Sequence, residues 1–397
     1  MRRTMLPSIG DTASSRKGSI VNWVGDSIAP TKATSTGYGT TSAGAGVQLG
    51  AADMLAWAHL LSNARVLYGK VAGVSGERAD QMAARIVADA LSSGGQWCGI
   101  TTGTNDASAG HTAAQFATSI REMCAAIVAA GMTPILTTGV PNPSTGSPNQ
   151  RLLMDRYRRF LTSYAADNGW PLVDWYSVLV DTATGGFLSG FDSGDGIHPN
   201  SAGKKAMGQA LADALTPYLP PWASPVATIN TAAQTANLIP NPLFLTDSNA
   251  DGVPDSWTKS GGTATFSIVT GDSAIKGNAL RVQDTASGGF TQCGAPVNVV
   301  VSTLIGHRLA FTGLAKTTGT SGQAWVGCGT SGASPNVALR GMSNMAPTTT
   351  GWQRFYLECL VPTGATSLTV GLATNGGTSV DMQIAQVGLY DLTDSGI

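Results

Sequence analysis

Ser27 closes the run Val21-Asn22-Trp23-Val24-Gly25-Asp26-Ser27, a short apolar stretch that stops at a glycine, an acid and a serine. A serine hydroxyl is a poor nucleophile until a base takes its proton, and an imidazole, with an ordinary pKa near ~6.5, can do so near neutral pH. Of the 4 histidines, His198 has the setting for this role: it lies in Asp195-Gly196-Ile197-His198-Pro199-Asn200. The Asp195 carboxylate, three residues upstream, can hold one ring nitrogen and leave the other to face a hydroxyl. Asp192 competes for that orienting role, but the spacing favours Asp195. His59, His111 and His307 read as surface or capping residues. Gly-Asp-Ser alone is a weak signal, because most serines after a glycine are turn residues.

Two segments lie between them, Gly73-Val74-Ser75-Gly76 and Gly103-Thr104-Asn105-Asp106. Attack on an ester carbonyl puts charge on its oxygen, so donors aimed at that oxygen lower the barrier. Standing alone, Gly76 reads as a turn glycine and Asn105 as a helix cap. Taken in order, the four segments resemble those of the SGNH, or GDSL, hydrolase family, over about residues 18 to 218. The resemblance implies Ser27 as nucleophile, His198 as base and Asp195 as its orienting partner. It also implies an oxyanion hole from the Ser27 amide, the Gly76 amide and the Asn105 side chain, and no cofactor for catalysis. Ile28 departs from the leucine usual in the first block, an apolar exchange of little consequence. Asp26 and Asp106, inside the blocks, read as loop-holding residues. Substrates in this family are esters and thioesters of many kinds, including acetylated sugars and lipids.

These residues need a scaffold. Ile20 to Val24 has the length and β-branched content of a buried strand, and Gly25 permits a sharp exit at its C-terminal end, where open α/β sheets bind ligands. Further strands are expected at 65–71, 96–101, 133–138 and 171–175, alternating with helices at 51–62 and 78–91, through Phe116 to Val128, through Leu152 to Tyr164, and after Ser201 as a cap. Gly131 sits where a helix C-terminal cap belongs. Such alternation predicts α/β architecture, a parallel sheet with helices on both faces. With the family resemblance this becomes a flavodoxin-like three-layer α/β/α domain over 18–220, preceded by an arm or tether at 1–17. The Thr/Ser/Gly-rich loop from Ile28 to Gly46 either walls the pocket or is a plain flexible loop.

Helical periodicity ends after a Pro-rich linker at 221–236. From 237 to 397 short β segments separated by small-residue turns predict a β-sandwich: 265–269, 279–282, 297–301, 308–314, 324–328, 352–361, 367–372 and 380–389. In 352–361, Phe355, Leu357, Cys359 and Val361 form one apolar face, alternating with Arg354, Tyr356 and Glu358. Asn237-Leu-Ile-Pro-Asn-Pro with Gly351-Trp352-Gln353-Arg354 resembles jelly-roll carbohydrate-binding modules. One loop places Asp247, Asn249, Asp251, Val253 and Asp255 at alternate positions, with Gly252 after the third oxygen side chain, which suits a structural calcium ion. It lacks the twelfth-position glutamate of an EF-hand, and a self-held Asx turn is the equal alternative.

Composition limits the partners. The 397 residues have formal net charge −1 and only 12% charged side chains, giving no basic surface for nucleic acid. The 5 cysteines, Cys98, Cys124, Cys293, Cys328 and Cys359, form no Cys-x-x-Cys pair and read as buried thiols. No signal peptide and no membrane span is visible, so action outside a cell implies release by another route, such as lysis. These features favour a carbohydrate O-acetylesterase acting on an acetylated polysaccharide, as a bacteriophage tail protein at the bacterial surface; a trimer would suit a tail, although no heptads are visible. Two other readings are a general short-chain esterase or lipase, cytoplasmic or non-classically released, and a non-catalytic glycan-binding or structural tail module. The complete catalytic set argues against the last.

Overall fold

Apolar residues on both faces of the strand Ile20–Gly25 (β1) bury it from Val21 onward, between Leu67–Gly73 (β2) and Trp97–Thr101 (β3). This computed structural model describes residues 20–29, 54–62, 65–92, 94–141, 146–219, 237–285, 289–318, 324–333, 338–341, 351–375 and 379–393. The expected arm at 1–17, the linker at 221–236 and nearly all of the 28–46 loop lie outside the described residues. Thr133–Thr137 (β4) and Leu172–Val173 (β5) complete a five-stranded sheet of order β2-β1-β3-β4-β5, parallel throughout. That is a doubly wound order, and it brings the C-terminal ends of all five strands to one edge.

Helices cover both faces. Met54–Leu61 (α1) and, later in the chain, Trp175–Leu179 and Ser201–Leu215 bury Leu55, Trp175 and Leu211 with Val21, Trp23 and Ile135. On the other face Ala79–Ile86 (α2), Ala113–Ala129 and Pro148–Asn168 bury Met82, Phe116, Ile120 and Leu161 with Val24, Cys98, Ile100 and Leu136. In chain order, Thr104–Ser108 is α3, Ala113–Ala129 α4, Pro148–Asn168 α5, Trp175–Leu179 α6 and Ser201–Leu215 α7. Strand alternation sorts β1 between the faces: Trp23 stacks on Trp175 at 5.6 Å, while Val24 points to the opposite layer. Gly99 makes room for that indole, since a Cβ there would lie 2.3 Å from the Trp23 ring. Asn22, fully buried, replaces a ladder bond where β1 and β2 slip register: its Oδ1 accepts the Lys70 amide at 2.8 Å, and its Nδ2 donates to the Ala90 and Gly94 carbonyls.

Several boundaries differ from the sequence expectation for local reasons. The long helix begins at Pro148 rather than near Leu152, because the Ser147 side chain accepts the Gln150 amide and Pro148 occupies the first turn. The last helix is capped by Asn200, whose Oδ1 accepts the Gly203 amide, and Ser201 is its first residue. The short helices α3 and α6 are additional.

The chain after 237 forms two antiparallel five-stranded sheets. One has the order β13-β10-β15-β8-β7 and contains Gln353–Leu360, Arg308–Thr317, Val380–Asp391, Ala279–Asp284 and Thr265–Val269. The other has the order β12-β11-β14-β9-β6 and contains Ala338–Gly341, Ala324–Ser331, Ser367–Asn375, Phe290–Pro296 and Thr258–Gly261. Phe311, Leu280 and Ile384 of the first share one buried cluster with Val326, Val370 and Cys293 of the second. The strand expected at 297–301 is instead a bend leading into the single-turn helix Val301–Leu304, and the pairing strand is β9 just before it, whose Thr291, Gln292 and Gly294 conceal it. Tyr356, assigned from alternation to the polar face of β13, is 4% exposed, because it packs with Leu67 of the sheet domain, Ala310 and Leu392.

Candidate active site

The ends of β1, β2 and β3 deliver three of the four sequence blocks to one place. Gly25 pairs with Gly73 and with Thr101, so Ser27, Gly76 and Asn105 follow neighbouring strand ends. A Cβ on Gly25 would lie 2.4 Å from the Ala29 Cβ and 2.9 Å from the Thr101 carbonyl, so glycine is needed for the chain to fold back there. Gly76 has φ +79°, a left-handed turn conformation suited to glycine. The Asn105 Nδ2 donates to the Glu77 carbonyl at 2.9 Å, tying the third block to the residue after Gly76. An amide nitrogen has two hydrogens, so one remains for a ligand.

The fourth block folds into a loop that presents His198. The Ser193 amide donates to the His198 carbonyl at 2.9 Å and the Asn200 amide to the Phe191 carbonyl at 2.8 Å, closing the loop before α7. Asp195 Oδ1 accepts the Ile197 and His198 amides at 2.8 Å each, which fixes the carboxylate beneath the imidazole. Its Oδ2 lies 2.6 Å from His198 Nδ1, and His198 Nε2 lies 2.8 Å from Ser27 Oγ. The His198 amide first, and then its ring, hold the Asp195 carboxyl far below the usual carboxylate range. Asp192, the competitor for this contact, accepts the Gly194 and Gly196 amides and shapes the loop instead. With Nδ1–H donated to Asp195, Nε2 is left unprotonated to accept the serine proton.

Buried polar groups brace the block ends. Asp106, with no exposed surface, accepts the Ala79 amide on both oxygens at 3.1 Å and the Thr102 hydroxyl at 3.0 Å, locking α2 to α3. Arg85 donates to the Ala72 carbonyl at 2.8 Å, the Gly25 carbonyl at 3.3 Å and Glu77 Oε2 at 2.7 Å. It thus pins the ends of β1 and β2 and the turn after Gly76, a role that sequence reasoning missed. Asp26 accepts the Ile28 amide at 3.0 Å through Oδ1, while Oδ2 is buried without a partner. Burial, reinforced by the charge of Asp106, raises its pKa to about 7.

The remaining candidates lie elsewhere. His59 bonds Val66 and Tyr356, His111 approaches Asp106, and His307 pairs with Asp391. Cys98, Cys124, Cys293 and Cys328 are buried and form no disulfide with one another, and burial pushes the Cys124 and Cys293 thiols up to about 12. In the proposed calcium loop, Asp247 accepts the Asp251 and Gly252 amides, Asp251 the Val253 amide and the Asn249 side chain, and Asp255 the Ser248 amide and hydroxyl. These are the bonds of a self-held Asx turn. Among the described residues, the group of acidic and histidine side chains gathered closely enough for a metal ion is Asp80, Asp106 and His111. Its carboxylates already accept Arg78, Ala79 and Thr102. No helix among the described residues is long and apolar enough to cross a membrane.

Residues 23–206 match the GDSL-like lipase/acylhydrolase family. No curated protein matches the chain. Among solved structures, similar folds include a G-D-S-L family protein of Desulfitobacterium hafniense DCB-2, 22% identical, covering 50% of this chain and 100% of its own with TM-score 0.40. Axe2, an acetylxylan esterase from Geobacillus stearothermophilus, is 21% identical and covers 50% and 94% with TM-score 0.42. A GDSL-like lipase from Bacteroides thetaiotaomicron VPI-5482 is 18% identical and covers 51% and 90% with TM-score 0.37. The matched segment contains Ser27, Gly76, Asn105, Asp195 and His198, and the chain therefore carries a GDSL-like lipase/acylhydrolase domain and is an SGNH-type ester hydrolase.

Proposed function

We propose that the protein is a carbohydrate O-acetylesterase that strips acetyl groups from a polysaccharide, with a bacteriophage tail acting on a bacterial surface glycan as its setting. The observation that carries the catalytic part is the relay Ser27 Oγ to His198 Nε2 at 2.8 Å and His198 Nδ1 to Asp195 Oδ2 at 2.6 Å. Ser27 Oγ attacks the ester carbonyl while His198 Nε2 takes its proton; the carbonyl oxygen becomes an oxyanion facing the Ser27 and Gly76 amides and the free hydrogen of the Asn105 amide. Collapse breaks the bond to the sugar oxygen, which leaves with the proton from His198, and an acetyl group stays on Ser27. Water then repeats the sequence, giving acetate and free enzyme.

The substrate class is supported by the weakly charged composition, by the Thr/Ser/Gly-rich sequence after Ser27 and by an attached β-sandwich, which we read as a jelly-roll carbohydrate-binding module. Acetate release from acetylated polysaccharides and hydrolysis of p-nitrophenyl acetate test the reading together. The native chain is expected to do both, and Ser27→Ala to lose at least about 1000-fold on each while folding normally. Full activity in Ser27→Ala would overturn the catalytic assignment. Preference for octanoyl over acetyl esters would move the substrate to lipids and short-chain esters.

A further inference from the structure

The outer face of the sheet β12-β11-β14-β9-β6 holds a groove of about 270 Å³, and none of the described residues lining it is charged. Strand register explains its shape. Gly327 of β11 pairs with Gly371 of β14, and Gly371 with Gly294 of β9, so three neighbouring strands lack a Cβ along one row. The row forms a trough with walls of different chemistry. On one side stand Gln292 and the Phe290 ring, 41% exposed and backed by Trp325 at 5.8 Å. On the other side stand the exposed Thr369 and the hydroxyls of Ser331 and Ser367, which bond each other at 2.5 Å.

We propose that this groove binds a neutral sugar chain, the polymer on which the ester hydrolysed at Ser27 is carried. A sugar ring offers an apolar C–H face for Phe290 and equatorial hydroxyls for Gln292, Thr369, Ser331 and Ser367; an aromatic wall opposite small polar groups suits both. Other occupants fit less well. An anionic polymer or nucleic acid would find no cation among the described lining residues. A peptide adding itself as a strand needs a free edge, whereas β11, β14 and β9 are each paired on both sides. An acyl chain would leave the serine, threonine and glutamine groups facing hydrocarbon.

The inference deepens the esterase reading, which supplies the identity of the chain, but its test is separate. Electrophoresis of the whole protein through gels containing galactomannan, arabinoxylan, dextran or anionic alginate measures binding, with p-nitrophenyl acetate hydrolysis run in parallel. At least one neutral polymer should retard the native protein. Phe290→Ala and Thr369→Lys should each weaken that retardation about tenfold and leave small-ester hydrolysis unchanged. Thr369→Lys changes an exposed side chain, so its folding is secure if Phe290→Ala proves unstable. No retardation by any neutral polymer, retardation by alginate alone, or native binding in both variants would overturn the groove. Phe290-dependent binding without any ester hydrolysis would instead overturn the esterase reading and leave the groove standing.

Discussion

The Asp26 carboxyl sits beside the reactive serine with one oxygen unpartnered and no access to solvent. Its pKa, raised by burial to about 7, means the folded protein keeps a proton that the unfolded chain gives up near 3.8. Between those values the native state binds more protons, so Asp26 costs stability as pH rises through the window, on the order of 4 kcal/mol in all. Asp26→Asn removes the titration: its unfolding midpoint relative to the native protein should climb between pH 4 and 7 and level off above, and a pH-independent difference would refute this. Asp195 behaves oppositely. It stays ionised throughout that range, and Asp195→Ala, which leaves the Ser27 to His198 bond available, should lower kcat by about 1000-fold or more with little change in KM.

At the level of elements, the catalytic geometry depends on how three strand ends are locked together. Asp106→Ala would free the Ala79 amide and the Thr102 hydroxyl inside the protein. A loss of about 1 to 3 kcal/mol in urea unfolding is expected, with kcat reduced because the Gly76 turn and Asn105 lose their common brace. Gly99→Ala drives a Cβ into the Trp23 ring and should cost about as much by overpacking, with the site chemistry untouched. The blocks around Ser27, Asn105 and His198 were legible because each packs its functional group with local turn residues, and the parallel sheet was legible from the alternation of apolar strands with amphipathic helices. Arg85 was not, since its bond to Gly25 spans 60 residues and exists only once α2 has docked. Nor was β9: Thr291, Gln292 and Gly294 look like a turn until β14 and β6 pair with them. The run at 297–301 offered a better apolar pattern but continues no ladder.

Across the whole molecule, the hydrolase domain and the sandwich share buried contacts. His59 of α1 joins them: one ring nitrogen bonds the Val66 carbonyl at 2.8 Å, and Nε2 accepts the Tyr356 amide of β13 at 3.0 Å. That arrangement requires a neutral ring, and burial lowers the His59 pKa from 6.5 to about 4. The unfolded chain therefore takes up a proton that the native chain refuses, and stability should fall by up to about 3 kcal/mol as pH drops from 6.5 to 4 and then flatten. Comparing urea midpoints of the native protein and His59→Gln over that range isolates the slope; parallel curves would sink the idea. The position of β15 has a different consequence, one for biosynthesis. Val380–Asp391 leaves the ribosome after the other strands of its sheet, yet it lies between β10 and β8, and its Leu389 amide bonds the Asn237 side chain where the sandwich begins. The hydrolase sheet has all five strands once residue 173 has emerged. β10 and β8 must wait, unpaired on their inner edges, so a nascent chain carries a finished hydrolase sheet beside an open sandwich prone to seek strands from its neighbours.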